Sequence, residues 1–171
     1  REQYRIAVSQ DSSSYVVWQK LMDMDNQLED YSSLANTSKQ VMGLFPDNTY
    51  PYVMNGFANI ELKKYNEALN SLRPGIAYAT DDTATLSEMY SLIGEASNDV
   101  KEYAASDSAY EAAIKLNPDN MEVLNNYSYY LSLRDTNLDK AAAMSKKSND
   151  LSPNNYTYED TYAWVLFKLG K

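Results

Sequence analysis

The feature that most constrains this chain is a residue pattern that returns at a nearly fixed interval. A glycine, a tyrosine nine residues later and a small residue three further on occur twice, as Gly56, Tyr65 and Ala68 and as Gly94, Tyr103 and Ser106. The wider pattern returns every 34 to 38 residues. A fixed period of this length is the sequence signature of stacked helical hairpins. The sequence therefore predicts an all-α fold built as an array of antiparallel helix hairpins.

Prolines mark the ends of the repeats. Pro46, Pro118 and Pro153 each follow a run with helical apolar spacing, and each is followed directly by Asp or Asn. Proline cannot continue the helix, and the Asp or Asn residues after it can cap the next one. Pro118 follows Pro46 by 72 residues, which is two repeats of about 34 plus four extra, and Pro153 follows Pro118 by 35. The prolines therefore fix the frame of the repeats.

This frame predicts one helical-repeat domain over residues 1–171. Half a hairpin begins the domain, four complete hairpins follow, and half a hairpin ends it. The predicted ranges are 1–12, about 15–46, 49–82, 87–118, 121–153 and finally 156–171.

Two glycines and one proline carry more specific predictions. Gly56 and Gly94 are expected where the two helices of a hairpin touch, because a larger side chain would overpack the contact. Pro74 falls inside the second helix of the second hairpin, where it removes a backbone N–H donor and predicts a kink. The segment 78–83 then adds four residues to the frame. We therefore expect an irregular, longer connection over 74–83 and a change of curvature there.

The frame resembles that of the tetratricopeptide repeat family. Its 34-residue unit places an aromatic residue near the start of the first helix, a Leu-Gly-like pair one turn later, Tyr in the turn, Ala in the second helix and Pro at the end. In the third unit of this chain these features are Tyr90, Ile93, Gly94, Tyr103, Ser106 and Pro118. The resemblance covers essentially the whole chain, and residues 160–170 are similar to the first helix of a further unit in many bacterial members. It implies a right-handed superhelix with a protein-binding role.

The composition argues against catalysis and against nucleic-acid binding. The chain has 24 acidic and 15 basic residues, a net charge of −9, whereas a phosphate-binding surface depends on Lys and Arg. It has neither Cys nor His, which excludes Cys–His and Ser–His–Asp catalysis and the usual zinc ligands. The five glycines are isolated from one another, so no phosphate-binding loop is present. We therefore expect no enzyme activity, no cofactor and no metal.

The sequence leaves the compartment open. Its longest apolar stretches fall far short of the roughly 18 to 20 residues that span a bilayer, so no membrane insertion is expected. Residues 1–6 carry charges of both signs, and the chain does not begin with Met. An upstream signal that had been removed would indicate the cell envelope or periplasm; without one, the cytoplasm is expected.

In the tetratricopeptide repeat family, the first helices of successive hairpins line a concave groove that holds a segment of a partner. Transferring the frame residue by residue predicts a groove of acids, aromatics and a few apolar or amide residues: Asp23, Val53, Phe57, Ile60, Glu88, Glu95, Glu122, Asn125, Tyr129 and Trp164. The family's carboxylate-binding clamp uses Lys, Arg and Asn on its first helices, whereas this chain has Glu88, Glu95 and Glu122 there. The resemblance therefore implies a protein or peptide partner with a basic or apolar segment.

Three functions fit these features. The first is a non-enzymatic scaffold for protein interactions. The second is a docking or regulatory segment of a larger enzyme whose catalytic domain lies outside this chain. The third is a structural array that self-associates through its open ends, because unpaired terminal repeats expose apolar faces.

Overall fold

Helices make up all the regular secondary structure in residues 1–79 and 81–170, the part of the chain that the computed structural model describes. The α-helices are α1 (Glu2–Gln10), α2 (Tyr15–Gln27), α3 (Tyr31–Leu44), α4 (Tyr50–Glu61), α5 (Tyr65–Gly75), α6 (Thr83–Asp99), α7 (Tyr103–Leu116), α8 (Met121–Leu133), α9 (Leu138–Leu151) and α10 (Tyr156–Lys168). A 3₁₀ helix, Ile76–Tyr78, follows α5. No described helix combines the length and the apolar character that a bilayer crossing requires. The predicted all-α fold is confirmed.

Polar side chains cap the start of several helices. The Asp30 carboxylate accepts a hydrogen bond from the backbone N–H of Ser33 at 3.0 Å. Asp82 accepts two from the first turn of α6, at 3.1 and 3.0 Å. Asn120 and Asn155, which follow prolines in the sequence, cap α8 and α10 in the same way. The predicted capping role of these Asn residues is thus confirmed, and each cap satisfies N–H groups that the helix leaves free.

The hairpins are α2–α3, α4–α5, α6–α7 and α8–α9, with α1 and α10 as single helices at the ends. The first helices of successive hairpins contact one another, α2 with α4, α4 with α6, α6 with α8, and α8 with α10. Within the described residues, the second helices α3, α5, α7 and α9 make no comparable contact with each other. Because the first helices are the closer set, they form the inner layer of a curved array.

Three apolar clusters follow one another along the array. Val8, Trp18 and Leu34 belong to the first cluster, Tyr52, Leu72 and Met89 to the second, and Tyr110, Tyr127 and Val165 to the third. Each cluster takes residues from more than one hairpin. A single hairpin therefore cannot bury its apolar face alone, as expected for stacked repeats.

Gly56 and Gly94 lie at the close helix contacts that the sequence predicts. A Cβ atom built on Gly56 would lie 2.5 Å from Cγ of Leu72. A Cβ atom built on Gly94 would lie 2.7 Å from Cδ2 of Tyr110. Both contacts join the first and second helix of one hairpin, so this prediction is confirmed.

The second hairpin ends irregularly, as Pro74 predicts. Pro74 lies in the last turn of α5, and the chain continues as the 3₁₀ helix. Thr80, which falls within the predicted irregular segment, lies outside the described residues. The expectation of a longer connection is wrong in one respect, since α6 begins at Thr83 instead of near residue 87. The extra residues form its first turn because Asp82 caps the helix there.

Candidate binding surface on the inner layer

The inner layer, formed by α2, α4, α6, α8 and α10, carries all ten groove residues that the sequence predicts. Seven of them are exposed or partly exposed: Asp23, Phe57, Glu88, Glu95, Glu122, Tyr129 and Trp164. We call the face that these seven residues share the concave surface. It runs along the array from the first complete hairpin to the last helix.

The other three predicted groove residues are buried. Val53 is 2% and Ile60 6% exposed, and both pack in the apolar cluster that contains Met89. They are core residues because α4 turns this side toward α6. Asn125 is 5% exposed and is polar, so its burial has a different consequence, described below.

Five carboxylates from three helices form an acidic patch on the concave surface: Glu61 of α4, Glu88, Glu95 and Asp99 of α6, and Glu122 of α8. Burial raises the pKa of Glu95 to about 7, with further contributions from the charges of Asp99, Glu61 and Glu122. Desolvation and the charge of Glu122 also raise the pKa of Glu88. Among the residues that the structure describes, none of these five forms an ion pair with Lys or Arg. The patch therefore carries negative charge that no described side chain neutralises.

On the helices α6, α7 and α8 lie three buried oxygen atoms that have no hydrogen-bond partner in the described structure. They are Oδ1 of Asn98, Oδ1 of Asn125 and the hydroxyl oxygen of Tyr110. Asn98 and Asn125 each lie three residues after an acid of the patch, Glu95 and Glu122, so they share its helix faces. A buried polar atom without a partner costs about 1 to 3 kcal/mol.

Tyr110 reaches the patch from the outer layer. Its side chain belongs to α7 and is fully buried, with the ring stacked on Tyr127 at a centroid distance of 5.0 Å. Burial raises the pKa of Tyr110 well above its usual value, and the charges of Glu95, Asp99 and Glu122 raise it further. The Tyr110 hydroxyl therefore stays protonated at neutral pH.

At the α2 end of the concave surface, tyrosine and acid pair directly. The Tyr50 hydroxyl donates a hydrogen bond to Oδ1 of Asp23 at 2.6 Å, which links α4 to α2. Burial and this hydrogen bond raise the pKa of Tyr50. Phe57 follows along α4, with its ring edge-on to Tyr31 at 5.7 Å. Asp23 is therefore already engaged within the protein.

The α10 end of the concave surface is aromatic. Trp164 and Phe167 are exposed, and their rings stack at 5.7 Å. A shallow pocket of about 250 Å³ between α8 and α10 is lined by Tyr129, Leu133, Asp160, Thr161 and Trp164. The structure thus brings together Tyr129 and Trp164, which lie far apart in the sequence.

Comparison with known proteins supports the repeat architecture. No family profile and no curated protein matches the chain. Among solved structures, a chain of the APC/C hetero-tetramer Cut9–Hcn1 superimposes with a TM-score of 0.81 and 16% identity, over 95% of this chain and 32% of that one. A tetratricopeptide repeat protein from Parabacteroides merdae superimposes with a TM-score of 0.75 and 13% identity, over 99% of this chain and 66% of that one. YrrB, a TPR protein with an unusual peptide-binding site, superimposes with a TM-score of 0.69 and 13% identity, over 98% of this chain and 89% of that one.

The fold is that of the tetratricopeptide repeat proteins. The resemblance predicted from Gly56, Gly94 and the spaced prolines is thereby confirmed at the level of the fold. The array is a right-handed superhelix of antiparallel helix hairpins, similar in fold to tetratricopeptide repeat solenoids.

Sequence reasoning missed several residues of this surface. The tetratricopeptide repeat frame assigns Tyr110 to the core, which is correct for its ring but gives no sign that its hydroxyl lies near the acids. Glu61 directly follows the predicted groove residue Ile60 on α4, and Asp99 lies four residues, about one helical turn, after the predicted groove residue Glu95 on α6. Extending the predicted groove by these neighbouring positions identifies both acids. The Tyr50 to Asp23 hydrogen bond joins two hairpins, and no signal within one repeat predicts it.

Proposed function

We propose that this chain is a protein-interaction scaffold that holds a segment of a partner protein along its concave surface. The observation that carries the proposal is the acidic patch, five carboxylates from three helices, none of which forms an ion pair with Lys or Arg among the described residues. Such a surface favours a partner with basic side chains, because charge complementarity attracts the partner and fixes its register. The proposed function requires binding and no chemistry.

Aromatic side chains would supply much of the affinity. Tyr129 and Trp164 border one shallow pocket, and Phe57 lies beyond the acidic patch on α4. Aromatic residues dominate the binding energy of many protein interfaces, because each buries a large area at a small cost in conformational entropy. A segment with basic residues near α6 and an apolar residue near α10 would therefore match the surface best.

The comparisons offer support by analogy. YrrB is described as a protein with a peptide-binding site, and it shares this fold over 98% of the present chain. Identity to YrrB is 13%, so the analogy extends to the architecture. The choice of partner is inferred from the acidic patch of this chain.

The test uses peptides selected from a random display library on the whole chain. Their affinities are measured by fluorescence anisotropy for the wild type, for Tyr129→Ala and for Glu95→Gln combined with Glu122→Gln. We expect each change to weaken binding about tenfold or more, the ratio that corresponds to about 1.4 kcal/mol.

The matched control combines Glu67→Gln with Asp139→Asn, which removes two charges from exposed acids of the outer helices α5 and α9. It should leave the affinity within about twofold of wild type, since rim charges far from a ligand contribute little. Equal affinities for the wild type, the Tyr129 variant and both double variants would overturn the proposal.

A second candidate, self-association, is favoured by exposed aromatic residues of α10. Tyr156, its first residue, is 84% exposed, and Phe167, near its last turn, is 68% exposed. Exposed apolar side chains of this size favour contact with another molecule, here a second copy of the chain. Light scattering over a range of concentrations tests it: a rise in mass that Phe167→Ser removes supports self-association, and a constant monomer mass excludes it.

A further inference from the structure

A groove in the outer layer, away from the concave surface, points to a second binding site. It lies between α3 and α5, encloses about 590 Å³ and has α4 as its floor. The groove exists because, within the described residues, α3 and α5 make no contact comparable to that between the first helices. We propose that this outer groove binds a short, extended segment of an acidic peptide, through the main-chain amides of the segment and one carboxylate.

The floor of the outer groove is polar where the other hairpins are apolar. Asn55 is 3% exposed, and the equivalent positions of the other three hairpins hold Leu21, Ile93 and Tyr127, all buried in the apolar clusters. An amide buried in place of such a side chain is costly unless it is hydrogen-bonded. Asn55 meets this condition through partners on α3 and α5. It is therefore the structural part of a floor that differs from its counterparts.

Asn59, one turn after Asn55 on α4, is the part of the floor that is available to a ligand. It is 7% exposed, and its Nδ2 donates to the backbone carbonyl oxygen and to Oδ1 of Asn55, each at 2.9 Å. Its Oδ1 accepts no hydrogen bond from the described residues. Unlike Asn98 and Asn125, whose free oxygens are closed to solvent, Asn59 lines an open groove. A donor from a bound molecule can therefore satisfy an acceptor that the fold leaves without a partner.

The two walls of the outer groove carry further amides. Asn36 of α3 and Asn70 of α5 are exposed and line the groove on either side of Asn59. An amide side chain presents N–H donors and a carbonyl acceptor, the same groups that each peptide unit of a main chain presents. In an extended segment these main-chain groups are free to pair. Three amides around one groove therefore match such a segment.

The floor also sets the length of the segment. Tyr52 and Asn59, which both line the groove, are seven residues apart on α4, a rise of about 10 Å at 1.5 Å per residue. An extended chain spans about 3.3 Å per residue. Three extended residues therefore match the length of the floor.

The charges in the outer groove favour a carboxylate. Lys39 of α3 and Lys64 at the start of α5 are exposed and form no ion pair among the described residues. Among the described residues that line the groove, Glu67 is the one acid, so the lining has one positive charge in excess. Charge complementarity then selects an acidic side chain. Because the whole chain has a net charge of −9, we expect this binding to be weaker than that on the concave surface.

The experiment titrates the isotopically labelled whole chain with the tripeptide N-acetyl-Ala-Glu-Ala-amide and follows the side-chain amide signals of Asn36, Asn59 and Asn70 by NMR. Matched probes replace the glutamate with glutamine or lysine, or carry a methyl group on the glutamate nitrogen. We expect saturable shifts of the three amides with the glutamate peptide and binding about two- to fivefold weaker with glutamine, because ion pairs of exposed side chains are weak. The methyl group removes a main-chain donor and should weaken binding about fivefold or more. Equal responses to the four peptides, or none to the glutamate peptide, would overturn the inference.

Two variants of the groove give an independent test. Asn59→Leu removes the free acceptor, and leucine is accommodated at the equivalent buried position of the fourth hairpin, Leu131. Asn36→Ala combined with Asn70→Ala changes exposed positions alone, so the fold should be kept. Each variant should weaken binding of the glutamate peptide about fivefold or more.

The matched control combines Asn66→Ala with Asn149→Ala, which removes two amides of the outer helices α5 and α9 that do not line the groove. It should stay within about twofold of the wild type. Circular dichroism checks that every variant is folded. Wild-type affinity in both groove variants contradicts the inference.

The outer groove and the concave surface are tested separately. The variant Glu95→Gln with Glu122→Gln should keep its response to the glutamate peptide. Loss of that response would contradict the outer groove and leave the proposed function standing. A titration with the disaccharide N,N′-diacetylchitobiose tests a carbohydrate in place of a peptide. Saturable shifts with the disaccharide and none with the glutamate peptide would overturn the peptide assignment.

Discussion

The ring of Tyr110 fills the space in front of Gly94, where a Cβ atom would lie only 2.7 Å from Cδ2 of the ring. Because Gly94 has no side chain, the Tyr110 ring of α7 can pack directly against the backbone of α6. Burial in this contact raises the pKa of Tyr110 well above its usual value, and the charges of Glu95, Asp99 and Glu122 raise it further. A glycine that the repeat uses for packing therefore also sets the surroundings of a buried tyrosine.

Gly94→Ala should destabilise the protein. The new methyl group would overlap the fully buried Tyr110 ring, and overpacking of this kind typically costs about 1 to 3 kcal/mol. Urea denaturation measures the change in the free energy of unfolding.

Gly43→Ala is the matched control, because nothing lies within 4 Å of a Cβ atom built on Gly43 of α3. Alanine favours helix over glycine, so this variant should gain up to about 1 kcal/mol. If Gly94→Ala were as stable as Gly43→Ala, the close-contact assignment would be wrong.

Glu95 should make both stability and binding depend on pH. Its pKa is about 7 in the folded chain and near 4.5 when unperturbed, so the folded state holds the extra proton between these values. The free energy of unfolding that Glu95 contributes is therefore fully present below about pH 4.5 and is lost as pH rises through 7. Binding of an arginine peptide has the opposite dependence and should strengthen from pH 5.5 to 8, because the cation prefers the ionised carboxylate.

Several titratable groups surround Glu95 and contribute to its behaviour: Glu61 of α4, Tyr65 of α5, Asp99 of α6, Tyr110 of α7, and Glu122 and Tyr130 of α8. Glu95→Gln isolates the contribution of the one carboxyl. Relative to the wild type, this variant should become more stable as pH rises from 5 to 8. A side-chain NMR titration of Glu95 with a midpoint below pH 5 would be incompatible with the desolvation of this carboxyl in the acidic patch.

Asn55 should be essential for joining α3, α4 and α5. It is 3% exposed; its Nδ2 donates to the carbonyl oxygen of Ala35 at 2.8 Å and to Oγ of Ser38 at 2.9 Å, and its Oδ1 accepts from Oγ of Ser71 at 2.5 Å. Asn55→Ala leaves these groups unpaired and should lower the free energy of unfolding by about 2 to 4 kcal/mol. Asn36→Ala, at an exposed position of α3, should change it by less than about 0.5 kcal/mol. Similar losses in the two variants would refute this role of Asn55.

Asp25 of α2 should stabilise the packing of α1 and α3 on α2. It is fully buried, with Oδ1 at 2.7 Å from Nε of Arg1 and Oδ2 accepting a hydrogen bond from Thr37 at 3.0 Å. Asp25→Ala should lower the free energy of unfolding by about 2 kcal/mol. This loss is smaller than that expected on breaking a fully buried ion pair, because Arg1 is partly exposed. Hydrogen exchange in α1 should then accelerate. Asp150→Ala, which breaks an exposed pair with Lys146, is the control and should cost under about 1 kcal/mol. Unchanged exchange in α1 would contradict this role.

The repeat frame predicts the fold well because it depends on local spacing. Gly56 and Gly94 report where helices touch, and the prolines after α3, α7 and α9 report where helices end. Neighbouring units repeat that information. The repeat spacing predicts the wrong start for α6. Asp82 caps the helix, so α6 begins at Thr83, a few residues before the start that the spacing indicates.

The candidate surface was harder to predict, since exposure depends on contacts between hairpins. Val53 and Ile60 occupy groove positions of the frame, yet packing of α4 on α6 buries them. The repeat pattern places Asn55, the residue before Gly56, in the core. Its hydrogen bonds depend on partners from α3 and α5, which the pattern does not indicate. Charge was easier to assign than burial, because Glu88, Glu95 and Glu122 follow directly from the residue types.

The most direct test of the account is to map where a partner segment binds on the intact chain. Hydrogen exchange, measured by mass spectrometry with and without the tightest selected peptide, reports this helix by helix. We predict slower exchange or new protection in α4, α6, α8 and α10, around Phe57, Glu95 and Tyr129, with α3, α5, α7 and α9 little changed. Protection confined to the outer helices α3, α5, α7 and α9 would contradict binding on the concave surface.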